Sequence, residues 1–107
     1  MSRPLRILQR AQNDVDEIFN WLVRRSIRGA ISWYMAFGQA IGRMQESPEN
    51  YSHAPESEIL HCEFRQAFFR TRRGRRYRII FQFDDQTFVV LRFRIARPAQ
   101  ARYIRTV

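Results

Sequence analysis

An α+β fold, with an N-terminal helix hairpin packed on a small, mostly antiparallel β-sheet, is what this sequence predicts. Apolar residues recur at helical spacing between Ala11 and Met44. From Phe64 onward they alternate with polar residues in three short runs bounded by turn-forming residues. The connection at 26–29 (Ser-Ile-Arg-Gly) is so short that the two helices must pack antiparallel.

Arg6, Ile7 and Leu8 read as a short first strand. Over residues 11–25, Ala11, Val15, Ile18, Phe19, Leu22 and Val23 form one apolar stripe. Asp14, Asp16 and Glu17 lie near its start and Arg24 and Arg25 near its end, as the helix dipole favours. Gln12 and Asn13 stand near the start, and Asn13 is the candidate cap. Trp21 falls off the stripe and either widens the core or serves as an exposed interaction residue. In the second helix Ala30, Trp33, Phe37, Ala40, Ile41 and Met44 share a face, and Pro48 stops it. Residues 47–61 have no periodicity and form an exposed connector, long enough to hold a turn of helix. Strands follow at 64–71, 77–83 and 87–95, with Asp84-Asp85-Gln86 turning the last two into a hairpin. Pro98 breaks the tail that begins at Ala96.

The length of 107 residues suits one domain over 1–107 with a single modest core. Apolar content of 45% and charged content of 27% are globular values. No apolar run reaches the ~18 residues of a membrane helix, and residues 1–10 lack a signal peptide's apolar core. The single cysteine, Cys62, fits a reducing interior, so a cytoplasmic location is expected.

Charge is divided unevenly. Residues 65–105 hold twelve arginines against Asp84 and Asp85, a local balance of +10 within a chain of net charge +9. Lysine is absent, and arginine offers a planar five-donor fork that suits phosphate and carboxylate but carries protons poorly. Strict alternation places Tyr77, Ile79, Phe81 and Phe83 on one face with Val89, Leu91, Phe93 and Ile95, leaving Phe88, Val90, Arg92 and Arg94 opposite. Arg78, Arg92 and Arg94 then rise together on the solvent side. With Arg70, Arg72, Arg73 and Arg97 they line a concave basic groove for a polyanion, either nucleic acid or an acidic protein segment.

Over nearly its full length the chain resembles the RelE/ParE superfamily of bacterial type II toxin–antitoxin toxins. The resemblance rests on Ala11, Asp14, Ile18 and Trp21 in the first helix and on Arg65-Gln66 and Arg72-Arg73-Gly74. It continues in Tyr77-Arg78-Ile79-Ile80-Phe81 and in the run from Asp84 through Arg94. It implies the same fold, growth arrest by a toxin, and a cognate antitoxin as partner. It also implies a target that is either DNA gyrase, as for ParE-like members, or the ribosome and its mRNA, as for RelE-like nucleases. If the chain is a nuclease, the resemblance assigns catalysis to Arg78, Arg97 and Tyr103. The paired lysines of those nucleases are matched only by Arg70 and Arg72, and Ile95-Ala96 stands where many members carry His-Gly.

Cleavage of RNA needs a group to take the 2′-OH proton and another to supply one to the leaving oxygen. His53 and His61 fall in or beside the connector, away from the basic strands, and Tyr103 either acts as acid–base or anchors the tail. No metal-ligand spacing and no phosphate-cradling glycine loop is present, so neither a metal nor a cofactor is expected. Three readings remain: a gyrase inhibitor, a ribosome-dependent mRNA endonuclease, and a non-toxic nucleic-acid-binding module. The ParE-like helices and the missing acid–base pair favour the first.

Overall fold

A computed structural model of the protein describes residues 4–71 and 75–95. Strand β1 (Leu5–Ile7) leads through Leu8 into helix α1 (Gln9–Val23), and a three-residue connection turns the chain into α2 (Ile27–Glu46). A 3-10 turn (Pro48–Asn50) and short helix α3 (Glu56–Leu60) precede β2 (Arg65–Arg70), β3 (Arg76–Phe83) and β4 (Phe88–Ile95). The sheet order is β1-β4-β3-β2. β1 runs parallel to β4 and the other pairs are antiparallel, in keeping with the expected α+β architecture.

Helix α1 starts four residues before Asn13, so Asn13 is not its cap. The helix grows directly out of β1: Leu8 is still extended and its N–H donates to Val90 O at 3.0 Å. Asn13 instead accepts a bond from Gln9 one turn back, at 2.9 Å. At α2 the Ser26 hydroxyl accepts the Gly29 N–H at 3.0 Å and fills an orphan position of the first turn.

The hairpin covers one face of the sheet. Ala11 and Val15 of α1 and Trp33, Phe37, Ala40, Ile41 and Met44 of α2 meet Phe69, Tyr77, Ile79, Phe81, Phe88, Val90 and Phe93. Trp33 lies at the centre, with ring centroids of Phe37, Phe69, Tyr77 and Phe93 between 5.5 and 6.4 Å away. Each such aromatic pair adds about 0.5–1.5 kcal/mol to the area it buries.

Simple alternation fails in β4. Ile80 pairs with Arg92 while Phe81 pairs with Val90, so Leu91 is an extra residue without a partner. This bulge reverses the parity of everything before it. Phe88 and Val90 therefore join Phe93 in the core, fully buried, whereas Val89 sits opposite Gln82 on the other face.

The connector is not merely exposed. It folds along β2, where an open edge would leave backbone groups unpaired. Gln66 N–H donates to Ser52 O, Ala54 N–H donates to Phe64 O, and His53 bridges to Arg65. The Ser57 hydroxyl both donates to Phe64 O and accepts its N–H, at 2.8 and 2.9 Å. Arg65 ties the 3-10 turn down by donating to the carbonyls of Glu49 and Tyr51. The result sets α3 against the sheet face that the hairpin leaves open.

Candidate functional site

That outer face carries the arginines. In register, Phe68 of β2, Arg78 of β3 and Arg94 of β4 form one row across the sheet, and Arg70 faces Arg76 in the next. Like charges directly opposite one another repel. The fold neutralises Arg78 in this row, and also Arg92, which faces Ile80, by bringing acids in from outside the sheet.

Arg78 is not a solvent-facing residue. It is 2% exposed, and all three of its guanidinium nitrogens are engaged. Nε donates to Gln66 Oε1 at 2.8 Å, and Nη1 donates to Glu56 Oε2 at 2.8 Å. Nη2 donates to Glu56 Oε1, which completes a bidentate fork. Gln66 is itself 2% exposed, and its amide donates to His53 O. Hydrogen bonding from Arg78 holds the Glu56 carboxyl below its ordinary pKa of 4.5, against the opposing effect of partial burial. Nothing in the connector's aperiodic sequence marked Glu56 as the partner. The available signal was that a +10 segment needs counter-charge, and Pro55-Glu56-Ser57-Glu58 is an acidic helix start.

Arg92 is likewise paired, contrary to the expected free groove. Its Nε and Nη2 donate to the two oxygens of Asp14 at 2.9 and 3.2 Å, and the pairing raises the arginine's pKa. The same carboxylate accepts the Phe93 N–H at 2.9 Å. Asp14 thus closes the edge of β4 beyond the end of β1 and does more than complement a helix dipole.

Arg94 and Arg70 are exposed, as expected. Arg72, Arg73, Arg97 and Tyr103 lie outside the described residues. The fold brings further exposed arginines to the end of the sheet where β2 finishes and β3 begins. Arg75 and Arg76 stand there beside the α1–α2 connection, which carries Arg24 and Arg25 and is followed by Arg28 in the first turn of α2. Trp21 is half-buried between them, with the Arg25 guanidinium 3.8 Å and that of Arg75 5.3 Å from its ring centroid. Arg76 lies over Phe68 at 5.6 Å. The sequence offered both roles for Trp21, and in the structure it is a partly covered stacking platform for two cations.

Proton-transfer chemistry finds little support on this surface. Burial pushes the Tyr77 hydroxyl above its ordinary pKa of 10.0. The His53 ring lies 3.3 Å from Glu63 with both side chains largely exposed, at the β2 edge. A recess beside the β3–β4 turn is lined by Cys62, Glu63, Asp84 and Thr87, a set that repels polyanions. Among the described residues no three His, Cys, Asp or Glu side chains gather into a metal-binding group.

A family model described as the ParE toxin of a type II toxin–antitoxin system, parDE, matches residues 5–99. No curated protein matches the chain.

Proposed function

The chain belongs to the ParE family of type II toxin–antitoxin toxins, and from that membership we propose that it arrests growth by binding DNA gyrase and does not cut RNA. A toxin of this class has a cognate antitoxin as its partner. The choice of target rests on Arg78. A nuclease of the RelE type needs this arginine to meet a phosphate as charge builds in the transition state. Here both terminal nitrogens are held by Glu56 and the third by Gln66. To serve a phosphate, the guanidinium would first have to give up the bidentate carboxylate that it already holds in a nearly buried position. An inhibitor that works by occupying a protein surface has no such requirement, and no acid–base pair is needed either.

No helix among the described residues is long and apolar enough to cross a membrane. The proposed site of action is the cytoplasm, where gyrase acts on DNA. Inducing the chain alone in a bacterial host distinguishes the targets by order of events. A DNA-damage response that precedes any fall in protein synthesis is expected. Translation arrest on intact DNA, with cleaved mRNA, would overturn the gyrase reading.

A further inference from the structure

The internal pairing of Arg78 and Arg92 moves the free positive charge off the centre of the sheet. Arg24, Arg25, Arg28, Arg70, Arg75, Arg76 and Arg94 are all exposed and none is in an ion pair with a described acid, while Arg6, Arg10 and Arg43, also exposed, lie away from them. The clustered arginines belong to the α1–α2 connection, α2, the residue leading into β3, and strands β2, β3 and β4, which meet at one end of the molecule. Arg25 and Arg75 share Trp21, Arg70 is in register with Arg76, and Arg94 is in register with Arg78 two residues farther along β3. Arg24 opens the connection between the helices and Arg28 lies in the first turn of α2. The acids lie elsewhere: Asp84 and Asp85 at the opposite end of β3, Glu46 and Glu49 at the far end of α2. Asp16 and Glu17, on α1, sit about two turns back from Arg24.

We propose that this arginine end grips the phosphate backbone of duplex DNA. The inference deepens the gyrase reading and rests on it for its setting, since gyrase holds duplex DNA throughout its cycle. Three features favour a nucleic acid over an acidic protein. The patch itself is built of arginines, and the exposed apolar residues Ile27, Ile31, Tyr34 and Met35 begin at its rim and run back along α2 rather than forming its centre. Its seven arginines are spread over the helix connection, α2 and the ends of three strands, an extent that suits the regularly repeating charge of a phosphate backbone. Three of the guanidiniums are stacked on Trp21 or Phe68 and so are held in place before any ligand arrives. Phosphate pairing of this type carries no base code, so binding is sequence-independent and driven by counterion release.

The test is fluorescence anisotropy of the full chain with a labelled DNA duplex across a salt series, with no gyrase present. The wild type should bind two unrelated duplexes equally, with affinity falling steeply as salt rises. Replacing Arg24, Arg28, Arg70 and Arg76 together by Gln should lower affinity at least tenfold. It should also flatten the log–log salt slope by about 3–4, at roughly 0.9 for each phosphate that is no longer neutralised. These four leave the Trp21 stack intact, and circular dichroism checks that the fold is kept. The control is Arg10→Gln with Arg43→Gln, exposed residues on the same two helices, each roughly 20 Å back from this end at 1.5 Å per residue. That pair should change affinity less than twofold. The proposal is overturned if the fourfold variant binds like wild type, if the control variant weakens as much, or if polyglutamate binds while duplex DNA does not. A chain that blocks gyrase in a separate supercoiling assay yet binds no duplex sinks this inference and spares the gyrase reading. A chain that binds duplex and leaves gyrase untouched does the reverse.

Discussion

At the scale of single residues, Arg78 and Glu56 decide most. A guanidinium 2% exposed with a bidentate carboxylate is a structural pair first. Removing only the acid should cost more than replacing the arginine by something that fills its space. Glu56→Ala strands the buried charge on Gln66 alone and should destabilise by about 3 kcal/mol, whereas Arg78→Met should cost less than about 1.5 kcal/mol. Urea titrations of the two variants check the order, and equal losses would mean that the pair is not buried in solution. The sign of the pH effect follows from the lowered Glu56 pKa. Its stabilising contribution is fully present above the unfolded value of 4.5 and is lost as pH falls through the folded value. Glu56→Gln should therefore flatten the acid limb of stability below about pH 4.5, leaving the neutral-to-alkaline slope unchanged.

At the scale of elements, the helices were legible because a 3.6-residue apolar stripe has one reading, and Trp33 and its stripe are the core that it predicts. The strands were legible as strands, but their faces were not. Val89, Val90 and Leu91 are apolar in sequence, so alternation cannot reveal that Leu91 is the extra residue. The pairings across the site were hidden for another reason: Glu56 lies 22 positions before Arg78, and Asp14 lies 78 before Arg92. Charge alone pointed to this region as a candidate binding surface, but not to which arginines the fold neutralises. Asp14 gives the element-scale prediction. Asp14→Ala leaves the Phe93 N–H and Arg92 without their acceptor and unties α1 from β4. A loss of about 1–3 kcal/mol is expected, with hydrogen exchange at the Phe93 amide rising ahead of its neighbours in β3. Unchanged protection at Phe93 would show that another group satisfies this edge.

At the scale of the whole molecule, the chain separates two tasks. Its core and its internal ion pairs hold a four-stranded sheet against a helix hairpin, while seven exposed arginines gather at one end. That separation suits a toxin that binds and is poorly suited to one that must transfer protons. Purified chain added to a DNA gyrase supercoiling reaction, beside a ribosome-programmed mRNA cleavage reaction, tests this most directly. The predicted result is loss of supercoiling with accumulation of cleaved DNA, intact mRNA, and the same inhibition from a folded Arg78→Met variant. Ribosome-stimulated mRNA cleavage that Arg78→Met abolishes, with gyrase unaffected, would contradict it.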